Sequence, residues 1–140
     1  GYFMEPGYRI VDVGALDPAE LIELYCSVGW GRTEDYKLAN VHSLLEMSDY
    51  YCAACFEDKL VGFARLLSDR IMTSWMPEIV VHPHHQRRGV GSALVSRIVG
   101  EFGHTAIYVA AFDGTESFFE KFLIKARPNK LVAMSRRPTL

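Results

Sequence analysis

The chain has 140 residues, of which 49% are hydrophobic and 23% charged, and carries a formal net charge of −2. That size and balance fit one domain, residues 4–140, able to bury its own core, and they exclude a disordered chain or a dedicated nucleic-acid surface. No apolar run reaches the roughly 20 residues needed to span a bilayer, and the first residues do not read as a signal peptide, so a cytoplasmic location without membrane contact is expected. Residues 1–3 are read as a remnant ahead of a start at Met4.

Residues 8–13 alternate apolar and polar and predict an opening strand. Asp17-Pro18-Ala19-Glu20 supplies an N-cap, a first-turn proline and a capping-box acid, so a helix begins there and carries Leu21, Ile22, Leu24 and Tyr25. Gly29-Trp30-Gly31 breaks it. Thr33 is then expected to cap a second helix with Leu38, Val41, Leu44 and Leu45 on one side. Residues 50–56 and 60–67 read as a hairpin, and Ser68-Asp69-Arg70 turns the chain into a longer strand over 71–81, which makes an antiparallel meander.

Three cysteines are present: Cys26, Cys52 and Cys55. Cys52-Ala53-Ala54-Cys55 has the spacing of a metal or redox pair. A structural zinc site, however, needs about four ligands, and no second pair exists. In a strand, residues three apart face opposite ways, so buried reduced thiols are expected. After the meander, Val90, Leu94, Val95 and Ile98 stand at helical spacing, in a helix ending near Gly100 or Gly103. A strand over 105–111, a short helix over 115–122 and a last strand over 131–135 complete an α/β domain with a mixed sheet.

The stretch Val80-Val81-His82-Pro83-His84-His85-Gln86-Arg87-Arg88-Gly89-Val90-Gly91-Ser92-Ala93-Leu94-Val95 reads as an apolar strand, a polar turn and a glycine-flanked helix start. A helix N-terminus leaves about four N–H groups without intrahelical partners, and its dipole adds roughly half a positive charge. Gly89 and Gly91 keep Cβ atoms away from the backbone, and Arg87 and Arg88 add mobile positive charge. The expected ligand is a diphosphate-bearing cofactor. A nucleotide P-loop would need Gly-Lys-Ser/Thr, whereas Gly91 is followed by Ser92-Ala93. A dinucleotide fingerprint would need a third glycine and an early strand–turn–helix unit.

Gln86-x-x-Gly89-x-Gly91 after an apolar strand ending Val81-His82-Pro83 resembles the coenzyme-A loop of the GNAT acetyltransferase superfamily. The order of predicted elements is also that of this fold, from about Tyr8 to Arg136. Leu24-Tyr25-Cys26-Ser27-Val28-Gly29-Trp30 looks like the equivalent stretch in small bacterial and plastid-type members, and Phe118-Phe119-Glu120-Lys121-Phe122 resembles the family's short helix.

The resemblance implies a GNAT-like acyl-CoA N-acyltransferase fold, its mixed central sheet flanked by helices. It also implies direct transfer of an acetyl group from acetyl-CoA to a primary amine of a small molecule or protein. Ile79, Val80 and Val81 would line the pantetheine arm through their backbone. Gln86, Arg87, Arg88, Gly89, Val90, Gly91 and Ser92 would hold the diphosphate, with Phe119 beside the arm on the short helix. Lys121 would approach the 3′-phosphate or serve as surface charge.

Deprotonating the amine calls for a base, for which Glu78 is the candidate. The alternative is a substrate-recognition or sheet-edge carboxylate, and a bulge in this strand would decide which face it takes. The family's usual tyrosine acid on the short helix is replaced by Phe119, and the asparagine often found before that helix is absent from Phe112-Asp113-Gly114-Thr115. Tyr108 is the candidate acid, with core packing as its other reading. Tyr25 and Trp30 would lie on the acceptor side, or plug the core.

His82, His84 and His85 read as a solvated turn, with anion contact by His85 as the alternative. A rival to catalysis is a degenerate coenzyme-A-binding module. Nucleic-acid binding through Lys125, Arg127, Lys130, Arg136 and Arg137 is disfavoured by the acidic balance. A homodimer through a sheet edge or the last strand is compatible with the fold. No metal is expected.

Overall fold

The computed structural model describes residues 3–12, 14, 16–129 and 131–139. The chain runs β1 (Tyr8–Val11), α1 (Pro18–Ser27), α2 (Leu38–Met47), β2 (Tyr50–Phe56), β3 (Lys59–Ser68), β4 (Thr73–Val81), α3 (Val90–Phe102), β5 (Ala106–Tyr108) and α4 (Glu116–Glu120). The five strands form one sheet in sequence order. Neighbours are antiparallel except β4 and β5, which are parallel. α3 is the crossover that a parallel pair requires.

Local chemistry accounts for most of these boundaries. Asp17 caps α1 by accepting from the Ala19 N–H at 2.9 Å, and Pro18 occupies the first turn, where its missing N–H costs nothing. Glu57 and Asp58 take φ of 50° and 64°, the left-handed conformation that lets a two-residue turn follow the twist of its strands. The Asp69 carboxylate accepts from the N–H groups of Ile71, Met72 and Thr73 and closes the turn into β4. Those bonds to the charged form hold its pKa below the ordinary carboxylate value.

The sheet is packed on both faces. α1 and α2 cover one, where Leu21, Leu24, Tyr25, Val41 and Leu45 meet Tyr51, Ala53, Phe63 and Val80. α3 covers the other, where Val90, Leu94, Val95 and Ile98 meet Cys52, Ala54, Ala64, Leu66 and Met76. Cys52 is buried and Cys55 half-buried, and all three cysteines are free.

Three expectations are corrected. Thr33 opens a short 3-10 turn, Thr33–Asp35, instead of capping a helix, and α2 starts after Lys37 with no side-chain cap. The strand expected over 105–111 ends at Tyr108 because the chain leaves β4 there. No strand forms over the described residues 131–135, which are all exposed. Leu131, Val132, Ala133 and Met134 are apolar on both sides of a pleat, so no face specifies a register. Val13 and Lys130 lie outside the described residues.

Candidate active site

The parting of β4 from β5 organises the site. The two strands pair only across Thr73–Ala106, Ser74–Ile107 and Trp75–Tyr108. Beyond Trp75, among the described residues, β4 has a strand neighbour on its β3 side alone. The His82 N–H donates to the Val61 carbonyl at 2.8 Å, so the alternation of an antiparallel pair turns the backbone groups of Ile79 and Val81 toward the open edge. The Val81 carbonyl faces that way, accepting from Gln86 Nε2 at 3.0 Å.

β4 is also bulged. Leu67 pairs with Trp75 but Arg65 pairs with Glu78, so Met76 and Pro77 together oppose one residue of β3. Pro77 lacks the N–H that a regular ladder would use. The extra residue reverses the pleat. Met76 packs on the α3 face, while Glu78 and Val80 turn to the α1 face and Ile79 and Val81 to the α3 face.

On the α1 face Glu78 is held at both oxygens. Oε1 accepts from Arg65 Nη2 at 2.8 Å, and Oε2 accepts a short hydrogen bond from the Tyr25 hydroxyl. The ion pair is largely withdrawn from solvent, with side chains 13% and 19% exposed. Arg65 Nη1 donates to Ser48 Oγ at 3.4 Å, and the buried Arg65 Nε has no hydrogen-bond partner among the described residues. The Tyr25 ring lies 5.7 Å from Trp30, 5.8 Å from Tyr36 and 6.3 Å from Phe63. Burial first, and then the Glu78 charge, push the Tyr25 hydroxyl far above its ordinary pKa. It therefore remains a donor throughout the physiological range. The Trp30 N–H donates to the Tyr25 carbonyl at 3.0 Å, and the Tyr36 hydroxyl donates to the Trp30 carbonyl, which fastens the Gly29-Trp30-Gly31 loop to the end of α1.

On the α3 face a cleft of about 670 Å³ opens at the N-terminus of α3, between the loop before it and α4. Val81, Arg87, Gly91, Ser92, Phe118 and Lys121 are among its walls. Gly89 precedes α3 with φ 84° and no side-chain cap, so the first-turn N–H groups of α3 have no side chain of Gly89 to bond. Lys121 Nζ donates to Ser92 Oγ at 2.7 Å and lies 4.7 Å from the centroid of the Phe118 ring, which keeps its charge at the mouth of the helix. Uncapped N–H groups, two cations and two small residues make an anion-receptive site that fits a diphosphate.

The expected residues fall into place unevenly. Gln86, Arg87, Gly89, Val90, Gly91 and Ser92 line the cleft with Val81. Arg88 is not among the lining residues, and its carbonyl accepts from the Glu5 N–H at 3.0 Å. Ile79 and Val80 contribute side chains to the two cores. Phe119 is 7% exposed in the core, and the α4 aromatic that lines the cleft is its neighbour Phe118. Tyr108 is 41% exposed at the last β4–β5 pair, more open than a core aromatic.

Gly89 meets the chain's own start. A Cβ there would sit 2.0 Å from the Phe3 carbonyl oxygen, so it is the segment before β1, rather than a phosphate, that fills the space beside it. Sequence reasoning also missed Arg65 and Lys121's bond to Ser92. Among the described residues no group of three or more His, Cys, Asp or Glu could hold a metal ion, and no helix is long and apolar enough to cross a membrane.

A mixed sheet whose β4 and β5 part after three residue pairs, with an anion-receptive helix end on one face and an anchored carboxylate on the other, defines the class of fold as a layered α/β domain. The chain belongs to the acetyltransferase (GNAT) family, whose model matches residues 17–123. It is 32% identical over 113 residues to a ycf52-like N-acetyltransferase of Prochlorococcus marinus, covering 77% of this chain and 62% of that protein. It is 29% identical over 103 residues to the chloroplastic GCN5-related N-acetyltransferase 2 of Arabidopsis thaliana, covering 61% of this chain and 40% of that one. The chain thus spans less than two thirds of these relatives' own lengths. Among solved structures, a GNAT-family acetyltransferase of Streptococcus pneumoniae superposes with a TM-score of 0.75 at 20% identity, over 93% of this chain and 99% of that one, and shows the same fold.

Proposed function

We propose that this chain is an acetyl-CoA-dependent N-acetyltransferase that moves the acetyl group directly to a primary amine of a small molecule or protein. The observation that carries this reading is the placement of two sites on one strand. Val81 borders the anion-receptive cleft, and Glu78, three residues earlier and about 10 Å along the strand, sits on the opposite face.

Arg87, Lys121 and the first turn of α3 would hold the diphosphate, and the unpaired edge at Ile79 and Val81 would bond the amides of the pantetheine arm. When bound, acetyl-CoA supplies the thioester. A backbone N–H on that edge is a fixed donor for the carbonyl oxygen as it gains charge. In the transfer a C–N bond forms, the C–S bond breaks, and the amine loses a proton.

An alkyl amine of pKa ~10.4 is only about one part in a thousand neutral near pH 7. Glu78 is the group to hold the ammonium and take its proton. Each oxygen already accepts one bond, yet a carboxylate has about four acceptor positions, so capacity remains. Tyr108, where β4 and β5 part, is the candidate donor to the departing thiolate. On the cysteine scale that thiolate, with a pKa near 8.5, needs little help.

A second reading draws on the same pair. Satisfied by Arg65 and Tyr25, Glu78 could be purely structural, and the chain a coenzyme-binding module without turnover. Incubation with acetyl-CoA carrying a deuterated acetyl group, and mass analysis of candidate amines, separates the two. Labelled N-acetyl product supports the transferase. Saturable coenzyme binding without product from any amine supports the module.

A further inference from the structure

His85 stands in a wall shared by two cavities. It borders the coenzyme cleft, and it also borders a second cavity of about 420 Å³ between α1 and the ends of β3 and β4. Glu20, Glu23, Lys59, His82 and His84 line that second cavity. The ring is fixed in place rather than loose on a turn. Tyr8 of β1 brings its hydroxyl to 2.7 Å from Nδ1, with the rings edge-on at 5.6 Å, and the Phe56 ring of β2 lies 5.2 Å away.

The hydroxyl of Tyr8 can donate to Nδ1 when the imidazole is neutral, which leaves the hydrogen on Nε2. It can equally accept from Nδ1–H when the ring is charged, so protonation reverses this bond without breaking it. The charges around the ring set which form is present. Burial, then His82, Arg88 and His84, hold its pKa below the ordinary value. Lining the second cavity with it are Glu20 and Glu23, offset by Lys59, and lining the cleft with it are the cations Arg87 and Lys121. A diphosphate entering the cleft adds about two negative charges and inverts that balance.

We propose that His85 is a ligand of the coenzyme's phosphates and is more protonated in the complex than in the free protein, the difference being taken up from solvent as they bind. The inference rests on the reading that the cleft takes acetyl-CoA. It assigns a role to a residue of the turn that the fold alone would leave as aromatic packing between β1, β2 and the loop. Coenzyme binding then tightens as pH falls through the range between the free and the bound state of this ring.

Isothermal calorimetry of acetyl-CoA binding tests this at pH 6.5 in two buffers of different ionisation enthalpy, with affinities also measured at pH 6 and pH 8. The wild type is expected to take up a sizeable fraction of a proton and to bind about three- to tenfold more tightly at pH 6 than at pH 8. The coenzyme's 3′-phosphate has its own second ionisation near pH 6, so the titrations are repeated with 3′-dephospho-coenzyme A. His85→Gln keeps an acceptor for Tyr8, and His85→Phe keeps the ring packing. Both should lose the proton uptake and flatten the pH dependence with the dephospho coenzyme. Uptake that persists undiminished in both folded variants would overturn the role of His85. Absence of saturable acetyl-CoA binding by the wild type would overturn the cleft reading, and this inference with it.

Discussion

The Tyr25 hydroxyl donates to Oε2 of Glu78 and so ties the last turns of α1 to the face of β4 opposite the cleft at the N-terminus of α3. The bond joins a helix that carries the Gly29-Trp30-Gly31 loop to the proposed base. Positioning of the carboxylate and anchoring of that loop are therefore linked through one residue, Tyr25.

Tyr25→Phe keeps the ring against Trp30, Tyr36 and Phe63 and removes only the donor. Loss of a hydrogen bond to a charged group should lower stability by about 1.5–3 kcal/mol, read from thermal unfolding. Turnover should fall more than acetyl-CoA affinity. An equal loss in both would mean that the bond supports the fold alone.

Arg65→Leu leaves Glu78 without its counter-charge in a setting mostly closed to water. Breaking such a pair from one side should cost about 3 kcal/mol, less than for a fully buried pair because both side chains retain some exposure. The double variant Arg65→Leu/Glu78→Leu should recover most of that loss in urea unfolding. Additive losses would show that the two side chains contribute independently.

Glu78→Gln retains an acceptor for Tyr25 and removes the charge. Turnover should drop about a hundredfold while the KM for acetyl-CoA stays within about twofold. Turnover equal to wild type would remove Glu78 as the base.

The two loop glycines should separate stability from binding. Gly89→Ala forces an L-residue to φ 84° and drives a methyl group into the Phe3 backbone, so a loss of at least about 1–2 kcal/mol is expected. At Gly91 a Cβ would meet Phe118 at 3.4 Å, an ordinary contact, and alanine favours the helix. Gly91→Ala should thus match or exceed wild-type stability yet weaken acetyl-CoA binding, as compared by thermal shift with and without ligand.

Burial, with Asp12 adding and Arg97 offsetting, pushes the Cys52 thiol up to about 12 from an ordinary value of 9.0. Its Sγ donates to the Leu94 carbonyl at 3.6 Å. A folded-state pKa above the unfolded value means that this stabilising contribution is complete below about pH 9 and is lost as pH rises toward 12. At pH 8 iodoacetamide should label Cys52 only as the protein unfolds, and half-buried Cys26 and Cys55 sooner, by peptide mass mapping.

Where local chemistry decided the structure, the sequence was readable. Asp17-Pro18 starts α1, the meander follows its turns, and the glycine loop leads into α3 as its pattern implies. What was not readable depends on long-range register. Counting outward from the Ser68–Ser74 pair would set Arg65 opposite Pro77, and it is the bulge that moves Glu78 into that position and onto the α1 face. Pro77 was the available signal, since a strand proline marks an edge or a bulge. The choice between Phe118 and Phe119 depends on the rotation of a five-residue helix, too short for periodicity to fix.

The central claim is most directly tested by measuring thiol release from acetyl-CoA by the purified protein with polyamines, arylalkylamines, amino sugars, aminoglycosides and lysine peptides, against a control without acceptor. The account predicts release that depends on one of these amines and falls sharply in Glu78→Gln. Release no greater than the control with every amine, from a protein that binds acetyl-CoA saturably, would contradict it.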